Sequence, residues 1–390
     1  MANMQNVLNA ILADASPTYI SRVPEATRTN ITEVGSAIMA YQETENEFLS
    51  ALVNKVAMTI VRNKTFKNPL AILKKGSVPL GRNIEEIYTN PATGTTYDAT
   101  GSKLMNRAIP DTKAIYHSMN RQGQYKATIS KAQLIQAFTS YAELEKLLNS
   151  IVNSIYSGDN LDEFMLMKEL FASAIGGGKL KTVEVVKIGD ADKAKAFVKA
   201  IKTVGQAMEF PSENFNSYYD INKDKDAKPV ITWTPLDNQV LLIRNDVAVD
   251  VDVELLAKAF NVSYTDLKQR TIIVDNFGSA EKCGAILCDE SFVQVYENLE
   301  QMETFHNAEG LYDNFIYHHW QTYSLSLFAN AMAFMLSDKI HFTIDGVTYE
   351  AEDGMTYGEW FESVYNVDGL AWDSYGWYVS NKLIKDGDAN

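Results

Sequence analysis

The chain has 390 residues, 46% of them hydrophobic and 22% charged, a balance that buries a full core and at this length favours two or three lobes. No apolar run approaches the ~20 residues of a membrane helix, and the opening MANMQNVLNAILADASPTYI has no basic region ahead of its apolar residues, which argues against secretion and membrane insertion. Two cysteines exclude a disulfide framework and point to a reducing cytoplasm.

Thirty-five Lys and Arg stand against 50 Asp and Glu, a net charge of −15, which argues against general nucleic-acid binding. Residues 62–131 reverse the sign. They hold 12 basic residues against Glu85, Glu86, Asp98 and Asp111, so the segment carries +8 and the remainder −23. A basic arm laid on acidic surfaces of neighbouring copies needs this asymmetry, because opposite potentials steer and register a contact; a solvated basic loop is the plainer reading.

In chain order, residues 43–61 read as an amphipathic helix with Phe48, Leu52, Val56 and Ile60 on one stripe and Glu43, Glu45 and Glu47 near its N-terminal end. From Asn68 to about Lys126 helical periodicity disappears and turn formers recur, among them Pro69, Gly76, Pro79, Gly81, Pro91, Gly94, Gly101 and Pro110. Such a stretch predicts an extended hairpin or a functional loop. Ser130 is the expected N-cap of the longest helix, in which Leu134, Phe138, Tyr141, Leu144, Leu148, Val152 and Ile155 recur until Ser157-Gly158 stops the pattern. A shorter helix is expected over 161–174, ending at Gly176-Gly177-Gly178, followed by a strand over 180–188 and a Lys-rich helix from about Asp192 to Val204.

Between about 228 and 335 the runs VITWT, QVLLI, TIIV, AILC and FVQVY read as strands, with Asp252 capping a helix that opens at VELLAKAF. Mixed elements without a βαβ repeat predict an α+β fold. Residues 311–328, LYDNFIYHHWQTYSLSLF, carry apolar groups on both faces, as a central buried strand does. Residues 337–390 read as an appended ββα module: Asp345-Gly346 marks a hairpin, Thr356 and Glu359 form a capping box ahead of Trp360, and 11 acidic residues face three basic ones.

Chemistry-bearing motifs are incomplete. Gly176-Gly177-Gly178-Lys179 has Ser173 where a phosphate loop needs glycine and Leu180 where it needs Ser or Thr, so it reads as a helix-terminating turn. Asp220, Asn222, Asp224 and Asp226 alternate like a calcium loop, but Lys225 and Ile231 occupy the positions that require glycine and glutamate. Cys283 and Cys288 lack zinc spacing and read as buried thiols, and adjacent His318 and His319 on a strand cannot share one metal. Asp250, Asp252 and Glu254 tempt a metal-nuclease reading that helix capping explains with less assumption. No catalytic residue, cofactor or metal is expected.

Four strings carry a resemblance. NPLAILKKGSVPLGRNIEEIYTN (68–90), NRQGQY (120–125), VDVELLAKAFN (251–261) and the run from YENLEQMETFHNAEGLY to HHWQTYSLSLFANAMAFM (296–335) are similar, in order, to stretches of the major capsid proteins of small tailed phages of the phi-twenty-nine, podovirus type. The resemblance spans roughly residues 30–335 and implies the tailed-phage HK-ninety-seven capsid fold. On that basis residues 1–67 would be an N-terminal arm and helix, 68–126 an extended hairpin arm, 127–189 a peripheral domain with a spine helix, and 190–290 an axial domain. Residues 291–336 would return to the peripheral domain, leaving 337–390 as an acidic, aromatic module unlike the immunoglobulin-like C-terminus of the family's best-known member.

The resemblance implies a structural subunit of an icosahedral or prolate head, assembling through pentamers and hexamers around double-stranded DNA that it does not read by sequence. A portal protein is an implied partner, and so is a separate scaffolding protein, since few residues precede the resemblance. Lys74, Lys75, Arg82, Arg107 and Arg121, with Glu85 and Glu86, are the candidate inter-subunit contacts, and reversing Lys74 and Lys75 is expected to impair assembly more than folding. The alternatives are an encapsulin-like cargo compartment of the same fold and a soluble enzyme or lone binding module.

Overall fold

The computed structural model describes residues 4–59, 66–102, 105–222, 228–258, 270–337, 339–344, 347–352, 360, 377–379 and 382–384. Four helices come first: α1 (Met4–Asp14), α2 (Pro17–Arg22), α3 (Ile31–Met39) and α4 (Gln42–Thr59). The turn-rich stretch holds β1 (Gly76–Ser77), β2 (Ile84–Thr89), β3 (Thr112–His117) and β4 (Arg121–Ser130), followed by α5 (Lys131–Ala137) and α6 (Tyr141–Gly176). Then come β5 (Lys181–Val186), α7 (Ala191–Met208), α8 (Tyr218–Asn222), β6 (Gln239–Arg244), α9 (Asn245–Lys258), β7 (Arg270–Val274) and β8 (Cys283–Asp289). The chain continues through β9 (Val293–Asn307), β10 (Tyr312–Leu325), β11 (Ala331–Ser337), and the short strands β12 (Lys339–Ile344), β13 (Val347–Glu352), β14 (Trp377–Val379) and β15 (Lys382–Ile384).

Two compact units result. The first comprises residues 1–89, 102–170 and 293–326; the second comprises 90–101, 171–292 and 327–390. In the first, a sheet of order β1-β9-β10-β4 has β10 at its centre, antiparallel to both β9 and β4, as the two-faced apolar pattern of 311–328 predicts. Its core joins the N-terminal helices to α5, α6 and the sheet, with Phe48 and Phe138 rings 5.4 Å apart. In the second, a mixed five-stranded sheet of order β5-β11-β8-β6-β7 carries α7 and α9, and Phe197 packs edge-on to Phe334.

Three local expectations change. The predicted rod beginning at Ser130 is two helices: Ser130 caps α5 with a full capping box to Gln133, but α5 ends at Ala137 and Ser140 starts α6 by accepting from the Glu143 amide. Conversely, Ser157-Gly158 does not stop α6, which runs on for 36 residues in all. A helical glycine costs about 1 kcal/mol relative to alanine, and here the stripe of buried side chains continues past it through Asp159, Glu163 and Met167. Asp252 lies in the middle of α9, which begins at Asn245, so it is not the N-cap of that helix.

The strands β12 and β13 pair with Ile344 opposite Val347, the register of a two-residue hairpin turn. Asp345 and Gly346 themselves lie outside the described residues, as do Thr356, Glu359, Asp224, Lys225 and Asp226.

Candidate assembly interface

The strands β2 and β3 form a two-stranded sheet of their own, in register from Ile84↔His117 to Thr89↔Thr112. Alternation puts Glu85, Ile87 and Tyr116 on an exposed face, where the Tyr116 hydroxyl donates to Glu85 at 2.9 Å. On the other face Glu86 accepts from His117 Nε2 at 3.0 Å and from the Ser326 hydroxyl at 2.6 Å, while His117 Nδ1 meets Ser324 Oγ at 2.7 Å. Glu86 therefore pins the foot of the hairpin to the end of β10, and Glu85 lies open to solvent.

Below the hairpin, the buried stripe of α6 changes chemistry. Leu144, Leu148, Ile151 and Ile155 give way at the same helical spacing to Asp159 and Glu163, and each carboxylate collects donors from distant parts of the chain. Glu163, 2% exposed, accepts from Lys74 Nζ at 2.9 Å, Asn68 Nδ2 at 2.8 Å and Gln321 Nε2 at 2.8 Å. Lys74 also reaches Glu297 at 2.6 Å. Asp159 accepts from Arg121 at 2.9 Å and from His319 Nδ1 at 2.7 Å. Arg121 donates further to the Tyr125 hydroxyl at 2.6 Å, the Tyr323 hydroxyl at 3.1 Å and the side chain of Gln321. Burial pushes the phenols of Tyr125, Tyr317 and Tyr323 far above the ordinary range, and that of Tyr156 up to about 12, so these rings stay neutral.

Burial opposes ionisation of Glu163, yet Lys74 and the Gln321 and Asn68 donors more than offset it and hold the carboxyl below its usual 4.5. Lys74 is likewise disfavoured by burial and raised above 10.5 by Glu163 and Glu297. The depressed acid contributes stability above pH 4.5 that is lost as pH falls through its folded pKa; the raised base contributes below pH 10.5 and is lost as pH rises through its own. In denaturant titrations the stability gap between wild type and Glu163→Gln is thus expected to hold steady from about pH 5 to 10 and to narrow as the pH falls below 4.5. A gap unchanged at the acid end contradicts this.

The seven candidates therefore divide. Lys74 and Arg121 have their charges met inside their own subunit, and Glu86 is engaged at the hairpin foot. The expected effect of reversing Lys74 accordingly moves from assembly to folding. Lys75 is exposed, its backbone amide bonded to Val295 O at 2.9 Å, beside β1, which pairs in parallel with β9. Arg82, just before β2, and Arg107, in the connection to β3, are exposed and have no ion pair among the described residues. The cluster around Asp159 and Glu163 escapes sequence reading because its partners lie 38 to 160 residues away. The available signal was two acids continuing an apolar helical stripe.

No three His, Cys, Asp or Glu side chains among the described residues are grouped to hold a metal ion. Both cysteines are buried, and burial pushes the Cys283 thiol up to about 12, which leaves it protonated and a poor nucleophile.

The Phi29-like phage major capsid protein family model matches residues 8–335. The major capsid protein of Bacillus phage PZA is 36% identical over 336 residues, covering 85% of this chain and 73% of that protein; that of Streptococcus phage Cp-1 is 30% identical over 346 residues, covering 83% and 92%. A solved capsid structure of Staphylococcus phage Andhra superposes with a TM-score of 0.57 at 12% identity, covering 72% of this chain and 87% of the other, which shows the phage capsid fold. An exposed hairpin beside charges paired within the subunit suits a protein whose work is contact with its own kind, and the chain belongs to the Phi29-like phage major capsid protein family, a structural subunit of the tailed-phage head and part of the virion rather than an enzyme.

Proposed function

We propose that the subunits assemble as pentamers and hexamers into a closed head around double-stranded DNA, with the β2–β3 arm of each laid on acidic surface of its neighbour. The observation that carries this reading is the arm itself. A two-stranded hairpin is marginal alone in water, yet this one exposes Ile87 and Tyr116 and brings Arg82 and Arg107 to the surface with no ion pair among the described residues. The rest of the chain outside 62–131 carries −23, an ample counter-surface. Lys75 and Glu85 are the further contacts assigned to this interface.

A scaffolding protein during assembly, a portal protein at one vertex and assembly in the host bacterial cytoplasm belong to the same reading, supported by family membership. The net charge of −15 favours DNA that is enclosed without being gripped, because phosphate-neutralising contacts would resist packing and release.

Exposed pairs contribute about 0–1 kcal/mol each, but a shell repeats them at every interface. The double variant Arg82→Glu/Arg107→Glu is expected to fold with stability within about 0.5 kcal/mol of wild type and to lose at least about tenfold in shell yield, since reversal turns each attraction into a repulsion. Sedimentation and electron microscopy of assembly reactions read the outcome; shells at normal yield contradict the assignment.

A further inference from the structure

In the second unit a short ledge follows the C-terminal end of α7. Ser212 and Thr232 exchange backbone hydrogen bonds at 3.0 Å in each direction, and the Thr234 amide donates to Met208 O at 2.7 Å. Alternation then turns Val230, Thr232 and Thr234 inward, where the threonine hydroxyls donate to Asn330 at 2.6 Å and Asp289 at 2.7 Å and Asn216 donates to Val230 O at 2.7 Å. Ile231 and Trp233 are turned outward, 41% and 49% exposed, with Phe210 at 68% on the adjoining segment. The back of the ledge is held by these hydrogen bonds and its edge by Asn90 of the same chain, which donates to Pro229 O at 2.9 Å and accepts from the Ile231 amide at 3.0 Å, while exposed aromatic side chains remain at the surface. Tryptophan on a preorganised support is the usual composition of an interface hot spot, and clustered exposed apolar groups mark contact surfaces. Glu209, Glu213 and Asp237 border it, exposed and without an ion pair among the described residues.

We propose that this ledge receives the arm connection of a second copy of the chain, residues 105–110. That segment has the matching chemistry: Met105 and Ile109 are 91% and 82% exposed, Arg107 lies between them, and no acidic residue interrupts 105–110. Two apolar anchors meet the Trp233 and Phe210 front, and the guanidinium meets the carboxylate border. The inference rests on the reading that the arm reaches a neighbour, and it names the surface that takes it.

Assembled shells of the double variant Met105→Cys/Trp233→Cys, treated with a short bis-thiol crosslinker, test it on a denaturing gel. Covalent dimers and longer chains, absent from either single variant, are the expected result; Cys283 and Cys288 are buried and contribute no ladder. A monomer band alone, or a crosslink to any other protein, overturns the ledge assignment; normal shell yield in that case leaves the arm reading standing, which the Arg82→Glu/Arg107→Glu variant judges separately. Should the cysteine pair prevent assembly, Glu209→Lys/Glu213→Lys is expected to cut shell yield about tenfold and added Arg107→Glu to restore it, because the swap returns opposite charges to the contact. Failure of that rescue also overturns the proposal.

Discussion

Replacing Glu163 with alanine is expected to destabilise the subunit by about 3–5 kcal/mol, the range for breaking a buried ion pair from one side. Lys74 would keep Glu297 at 2.6 Å but lose its buried partner, and Asn68 and Gln321 would lose the acceptor they share. Because of those two extra donors, exchanging only the pair, Lys74→Met with Glu163→Leu, will not recover wild-type stability, in contrast to isolated buried pairs that apolar residues replace without loss. Urea unfolding of the unassembled subunit measures both. A loss under about 1 kcal/mol for Glu163→Ala would contradict the assignment of this network as a main support of the subunit fold.

The second large effect lies where the N-terminal helices meet α5. Phe138 is fully buried against Phe48, and truncation to alanine is expected to cost about 3–5 kcal/mol. Gly35 on α3 is required by the same ring: a Cβ there would lie 2.5 Å from both Cβ and Cγ of Phe138. Gly35→Ala alone should therefore cost about 1–3 kcal/mol through overpacking. The double variant should lose less than the sum, because truncation removes the Cγ and Cδ1 contacts at 2.5 and 2.8 Å and leaves the Cβ–Cβ approach to be relieved by a small shift, with a coupling of at least about 0.5 kcal/mol. Strict additivity in the same unfolding assay would contradict the contact.

The elements that a local signal controls were legible. Ser130 with Gln133 supplies its own capping box, the β12–β13 register is the one a two-residue hairpin turn requires, and β10 shows its central place by being apolar on both faces. What failed was decided at a distance. Ser157-Gly158 reads as a stop because glycine weakens a helix, but Asp159 and Glu163 are locked to β4, β10 and the Asn68–Lys74 segment, and those contacts carry α6 through. Charge along the chain likewise says nothing of burial. Lys74 and Lys75 are neighbours in a basic run, yet one is drawn inward to two carboxylates and the other is exposed. The candidate interface was visible as a basic, turn-rich segment, while its division into internally paired and outward-facing residues required the fold.

That division gives the two ends of the arm different work. Its base is tied within the subunit by the Glu86–His117 pair and by the ion pairs of Lys74 and Arg121, which flank the hairpin in sequence; its outer part carries apolar and cationic groups that the isolated chain leaves exposed. Holding one end rigid lowers the entropy lost when the other end docks, so subunit stability and assembly should respond to different substitutions.

A density map of the assembled shell, at a resolution that traces the backbone, tests this most directly. Continuous density for the arm of each subunit is expected to run onto the adjacent one, with Arg82 and Arg107 beside acidic side chains of that neighbour. Arms folded wholly against their own subunits in a closed shell would contradict it.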